Sequence, residues 1–204
     1  NHIEVQPLAP ITAPNEMAET LHNVLLKLKN DTAYPKLFKA AFGTSDINSQ
    51  RMLKALAQFT GSITSSNSKY DKVQRGEATF TYGEQVGYDL FKAKCAACHK
   101  EPLFTDNSFR NTGMAVNPYL NDYGRMLITG DPDDSLKFRV PSLRNIMLTF
   151  PYIHDGRYYS VSAVIDHYRK GIITTQPTLD SLLVNRIAIT DMEKNYLLYF
   201  FNTL

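Results

Sequence analysis

The chain has 204 residues, of which 43% are apolar and 21% charged, and it carries a formal net charge of +2. That composition describes an ordinary globular protein with room for a sizeable core. It excludes a strongly basic nucleic-acid binder, and no apolar run reaches the ~20 residues that a membrane helix needs. No charged n-region followed by an apolar h-region opens the sequence, so a secretory signal is expected to have been removed from it.

In chain order, Asn1 to Pro14 holds three prolines and no helical period, and reads as extended. Asn15 offers a cap for a helix with Met17, Leu21, Val24, Leu25 and Leu28 on one face. A second helix is predicted over Thr32 to Phe42, stopped by Gly43. A third covers Asn48 to Ile63, with Met52, Leu53, Leu56 and Phe59 inward. Thr64 to Phe80 is rich in Ser, Asn and Gly and reads as a linker, which divides the chain into domains 1–80 and 81–204. The second domain opens with a capping box, Thr81-x-x-Glu84, and a helix running to Lys94. Glu101 to Pro141 lacks periodicity and is expected to wrap around a cofactor. A helix follows over Val161 to Lys170, ending at Gly171. The last helix has its own box, Thr190-x-x-Glu193, and an apolar face of Leu197, Phe200, Phe201 and Leu204.

The two cysteines are Cys95 and Cys98, and His99 follows at once. Cys-x-x-Cys alone would suit a thiol redox pair or half a zinc site. With the histidine it is the attachment signature of haem c. Two intervening residues let both sulfurs form thioethers with the two vinyl groups, and His99 then supplies an imidazole nitrogen to the iron. A helix before the string and an aromatic-rich helix at the end of the chain match the cytochrome c plan. The expected class is all-α, a cytochrome c-like haem domain preceded by a helical first domain. Met114, Met126, Met147 and Tyr168 are candidates for the second axial position, and the pattern leaves the choice among them open.

The strings Cys95–His99, Leu103–Phe109, Asn111–Gly113, Asp122–Arg125, Phe138–Asn145, Pro151–Gly156 and Val164–Tyr168 stand in order. Together they resemble the C-terminal haem domain of bacterial di-haem cytochrome c peroxidases and their MauG relatives. Earlier segments, Gln6 through Met17, Ala40–Gly43 and Ala55–Asp71, resemble the later part of the first domain of that family. The family carries two haem strings and this sequence holds one, so the resemblance implies a chain that lacks the region of the first haem.

The resemblance also implies roles. Gln6 and Glu16 would face the peroxide-binding haem, with Glu16 moving a proton between the peroxide oxygens. Tyr168 would be the distal iron ligand, as in the MauG branch, with Met114 second. His167, offset by about 100° on a helix, could not share that role. His154 is expected to be a packed structural histidine, and Arg139 and Arg144 offer guanidinium groups to haem propionates. Carbonyls of Thr149 and Pro151 would contribute to a calcium site. The implied activity is reduction of hydrogen peroxide with electrons from a small c-type cytochrome, in the periplasm or another exported location, by a homodimer. The alternatives are a MauG-like oxidase of another substrate and a mono-haem electron-transfer fragment.

Overall fold

The structure, a computed structural model, describes residues 2–204. The chain divides into two compact units, the first ending at Thr64 and the second running from Ser65 to Leu204.

The first unit is helical. It contains α1 (Leu8–Thr12), α2 (Leu21–Asn30), α3 (Tyr34–Phe42) and α4 (Ser49–Ser62). Two expectations fail at its start. Residues 8–12 form a helical turn rather than extended chain, and α2 begins six residues after Asn15 because the hydroxyl of Thr20 caps the Asn23 N–H. Met17 therefore lies outside the helix and is exposed. The ends of α3 and α4 agree with the sequence. Gly43 takes the left-handed conformation and its N–H closes on the Lys39 carbonyl, and the Asn48 side chain caps α4. Ile11, Phe38, Ile47 and Met52 form the core, with Leu21, Val24, Leu25 and Leu28 against it. Phe59, expected inward, is 64% exposed.

The second unit begins earlier than the linker reading placed it, at 64/65 rather than 80/81. Within that segment Ser68 and Asp71 form a reciprocal capping box that starts α5 (Lys69–Gln74). Tyr70 of α5 is buried in the aromatic core of the second unit, which fixes the segment there. α6 (Tyr82–Lys94) and α9 (Asp191–Phe201) both open with the predicted capping boxes. They cross antiparallel at Gly87, where an added Cβ would sit 2.0 Å from the Tyr196 carbonyl oxygen. Only a residue without Cβ permits that approach. Lys94 Nζ donates to Glu193 Oε1 at 2.9 Å and ties the end of α6 to the start of α9. Phe91, Phe104 and Phe200 are fully buried, and Leu197, Phe201 and Leu204 complete the core with Leu143, Val161 and Ile165.

Between α6 and α9 the chain is largely irregular, as the composition implied. It includes one two-stranded antiparallel sheet, β1 (Phe109–Arg110) with β2 (Phe138–Arg139), and the short helix α7 (Met126–Thr129). The helix read over 161–170 is split. α8 (Val161–Asp166) is regular, and His167–Gly171 is a π-helical turn. Single π turns inside helices frequently occur at functional sites.

Candidate haem-attachment site

Cys95 closes α6, its N–H bonded to the Phe91 carbonyl at 2.8 Å. The next residues coil tightly: His99 N–H donates to the Cys95 carbonyl at 3.0 Å, and Asp106 N–H donates to the Cys98 carbonyl at 2.9 Å. The two thiols are not joined in a disulfide. Burial pushes the Cys95 thiol up to about 12 and raises Cys98 as well.

The His99 ring is held by the backbone. Its Nδ1 lies 3.1 Å from the Phe104 carbonyl oxygen and 3.2 Å from that of Pro141. A carbonyl only accepts, so Nδ1 carries the proton and Nε2 keeps a free lone pair. Carbonyls that hold one ring nitrogen in this way orient the other toward a metal ion. Phe104 adopts φ +55° to make it, and its ring is fully buried. A bulky residue with positive φ costs of order 1–3 kcal/mol, which the packing of its ring offsets. Desolvation lowers the His99 pKa and favours the neutral, ligating ring.

Tyr168 projects from the π turn. Desolvation raises its phenol above the usual tyrosine range, and Cys95, Cys98 and Asp180 add to the rise in that order. Its neighbour His167 points elsewhere: Nε2 is 2.8 Å from the Thr112 carbonyl oxygen and the ring is buried. Met114 is buried, and its backbone carbonyl accepts from Gln176 Nε2 at 2.8 Å.

Sequence reasoning missed a charged cluster beside Cys98. Arg110 bridges Asp106 at 2.9 Å and Asp180 at 2.7 Å. Its guanidinium lowers the Cys98 pKa while the two carboxylates raise it. An open cleft of about 390 Å³ lies along Arg110, Lys137, Thr178 and Asp180. The Asp106 and Arg110 side chains fall within or beside the quoted Leu103–Phe109 string, which was the available signal. Of the arginines proposed for propionates, Arg144 is committed elsewhere, to Asp71 in a bidentate pair at 2.9 Å and to the Pro102 carbonyl. Arg139 bonds the Asn107 side-chain oxygen. His154 is exposed, and its ring stacks on Phe138 at 3.7 Å.

The remaining candidates lie apart from this cluster in chain and setting. Gln6 and Glu16 are exposed on turns of the first unit, and Glu16 is not in a helix. Thr149 and Pro151 lie on an exposed turn, and neither carbonyl accepts a hydrogen bond from the described residues. Among the described residues no group of three or more His, Cys, Asp or Glu side chains is arranged to hold a metal ion directly. Two thiols and one imidazole within five residues are the donor set that haem c attachment uses.

Residues 1–79 match the family model described as di-haem cytochrome c peroxidase. The methylamine utilization protein MauG of Methylorubrum extorquens is 35% identical over 208 residues, covering 99% of this chain and 58% of its own length. Cytochrome c551 peroxidase of Nitrosomonas europaea is 37% identical over 160 residues, covering 76% of this chain and 47% of the relative. The crystal structure of a MauG-like protein associated with microbial copper homeostasis superposes with a TM-score of 0.87 at 34% identity, over 100% of this chain and 68% of that one. The chain belongs to the di-haem cytochrome c peroxidase and MauG family. It spans about half the length of the two curated relatives just named. The diheme peroxidase BthA of Burkholderia thailandensis, at 19% identity and a TM-score of 0.74, shares the fold. The family is a haem family, and this chain is mostly helical with one two-stranded sheet, in line with the all-α reading.

Proposed function

We propose that the second unit carries the electron-entry haem of a peroxide-reducing oxidoreductase. The observation that carries this reading is the His99 ring, fixed through Nδ1 by two main-chain carbonyls beside two unpaired cysteines. Cys95 and Cys98 would hold the porphyrin through thioethers, and His99 Nε2 would bind the iron. Tyr168, which lies on the π turn, would be the second iron ligand, with Met114 as the alternative. A bound haem supplies one-electron redox chemistry, and a tyrosinate ligand favours its ferric state.

The rest is done by protein groups. The Phe104 and Pro141 carbonyls lock the imidazole tautomer and raise its basicity. Cys95 and Ala96 pack against the aromatic core, which would keep water from that side of the site. In the first unit, Glu16 would move a proton between peroxide oxygens and Gln6 would bind them, both being open to solvent-borne substrate. A small cytochrome c is the donor this reading calls for, and the free carbonyls of Thr149 and Pro151 would contribute to a calcium site. Covalent haem attachment calls for maturation in the periplasm or another exported location. No helix among the described residues is long and apolar enough to cross a membrane.

A second reading rests on Tyr168 and on the match to MauG over 99% of this chain: an oxidase that passes oxidising equivalents to another molecule. One experiment tests the reading and separates its two forms. Protein matured with haem is assayed for a pyridine haemochrome, then for peroxide-dependent oxidation of reduced cytochrome c. Cytochrome oxidation supports the peroxidase. Haem with peroxide consumption but no cytochrome oxidation supports the oxidase. No covalent haem removes both.

A further inference from the structure

The π turn is tied to the rest of the second unit through successive residues. His167 is 3% exposed, and its Nε2 lies 2.8 Å from the Thr112 carbonyl oxygen. A carbonyl only accepts, so Nε2 carries the proton and donates it. The Tyr168 carbonyl accepts from the Ile187 N–H at 3.0 Å. The Arg169 guanidinium bonds Asp166 at 2.9 Å and Asp191 at 2.8 Å, and Lys194 Nζ reaches Asp166 at 3.0 Å. The Tyr168 hydroxyl, by contrast, makes no hydrogen bond among the described residues. Its ring meets the His167 ring edge-on, 5.5 Å between centroids and tilted by 64°. Gly171 closes the seat of that imidazole, since an added Cβ would lie 2.8 Å from His167 Nδ1. The imidazole is buried and bonded to Thr112, so it is not a free end that could swing aside.

The same bond reaches the segment of the other candidate ligand, Met114. Successive carbonyls there each take a donor from a different residue. Thr112 accepts from His167, Gly113 from the Ile173 N–H at 2.9 Å, Met114 from Gln176 Nε2 at 2.8 Å and Ala115 from Arg157 Nη2 at 2.8 Å. One hydrogen bond thus joins the π turn that carries Tyr168 to the segment that carries Met114. Packing alone accounts for a buried ring. It does not account for a donor aimed at this carbonyl, with a glycine beneath the ring to make room for it. A π turn differs from an α continuation by one residue of register, about 100° of rotation. A fixed hydrogen bond at its first residue decides between the two.

We propose that His167 is a positioning residue: through the Thr112 carbonyl it holds the π turn in the register that presents Tyr168, rather than Met114, to the iron. The proposal rests on the reading that Tyr168 is the second iron ligand. His167 acts through its neighbour and is not a ligand itself, because its Nε2 is committed to Thr112 and its Nδ1 faces Gly171. Its ring supports the phenol edge-on and leaves the hydroxyl unattached, while its N–H holds the Met114 segment in place. Removing the donor leaves the Thr112 carbonyl without its partner and releases both segments together. Loss of one such buried hydrogen bond shifts a local opening equilibrium by about tenfold.

The test uses haem-loaded ferric protein, read by optical and EPR spectroscopy, with hydrogen–deuterium exchange on the same samples. Tyr168→Phe should abolish the wild-type spectrum. An unchanged spectrum there removes the Tyr168 ligand and the positioning role together. His167→Leu, which fills the space but cannot donate, should lose the same signature with Tyr168 still present. Its amides over 167–173 should exchange about tenfold faster. His167→Gln, whose amide can donate to the Thr112 carbonyl, should restore the wild-type spectrum. Gly171→Ala should behave as His167→Leu does, because its Cβ displaces the ring, and it carries the test should the leucine variant not fold by circular dichroism. With Tyr168→Phe altered, a wild-type spectrum in His167→Leu or Gly171→Ala leaves Tyr168 as the ligand and overturns the positioning role. A loss in His167→Gln equal to that in His167→Leu overturns it as well.

Discussion

The two units are both helical but are stabilised by different means. The first packs a few aliphatic and aromatic side chains, Ile11, Phe38, Ile47 and Met52, between short helices, and its candidate residues Gln6 and Glu16 sit on exposed turns. The second packs α6 on α9 at Gly87, starts α5, α6 and α9 with capping boxes, builds an aromatic core, and holds His99 by backbone carbonyls. A functional side chain fixed by main chain is insensitive to side-chain rotamers, whereas one on an exposed turn acquires its geometry from whatever it meets. The contrast teaches that the His99 ring is already oriented by main chain within the second unit.

The sharpest way to break the comparison is Cys95→Ala/Cys98→Ala. Covalent haem should be lost entirely by haemochrome and mass spectrometry, while the helical signal of a separately expressed first unit is unaffected because it holds neither cysteine. Retained covalent haem would remove the assignment. Next in size is the core. Phe200→Ala deletes a fully buried ring and should cost about 3–5 kcal/mol in denaturant unfolding. The exposed Phe59→Ala in the first unit should stay within about 0.5 kcal/mol.

A smaller effect is expected at Asp71. The Arg144 guanidinium holds its carboxyl at about 2, against burial, with Ser68 helping. The folded-state value lies below that of the unfolded chain, near 4. The pair therefore stabilises by about 2 kcal/mol above pH ~4, and that contribution disappears as pH falls through about 2. Asp71→Asn should lower stability at pH 7 by that amount and flatten the acid limb of the second unit's unfolding curve. An unchanged acid limb would show that the ion pair is not what holds α5 in place. Smallest of all is Glu16→Gln, which should change stability by less than about 0.5 kcal/mol because the side chain is exposed. A fall in peroxide turnover at unchanged stability would mark it as catalytic.

Local chemistry was legible in the sequence wherever a few adjacent residues decide the outcome. The boxes Thr81-x-x-Glu84 and Thr190-x-x-Glu193 start α6 and α9 as read, Gly43 stops α3, and the face Leu197, Phe200, Phe201 and Leu204 is buried. Where the reading failed, a second signal competed. Asn15 is as good a cap as Thr20 by residue type, and Pro7 and Pro10 hid a short helix that starts on proline-tolerant positions. The Ser-rich segment before Phe80 looked like a linker because Ser68 and Asp71 mark a helix start only once Tyr70 has a core to enter.

By itself the sequence determined the pairing of Cys95, Cys98 and His99, since three donors within five residues need no distant partner to meet. Only the tertiary structure decided which nitrogen of His99 is free, because Phe104 and Pro141 reach it from later turns of the chain. The same holds for Arg144, claimed by Asp71 rather than left for a propionate, and for His167, whose ring is held by the Thr112 carbonyl. Hydrogen-bond partners far apart in sequence carry no local pattern. Their identity follows from packing, which couples the whole second unit at once.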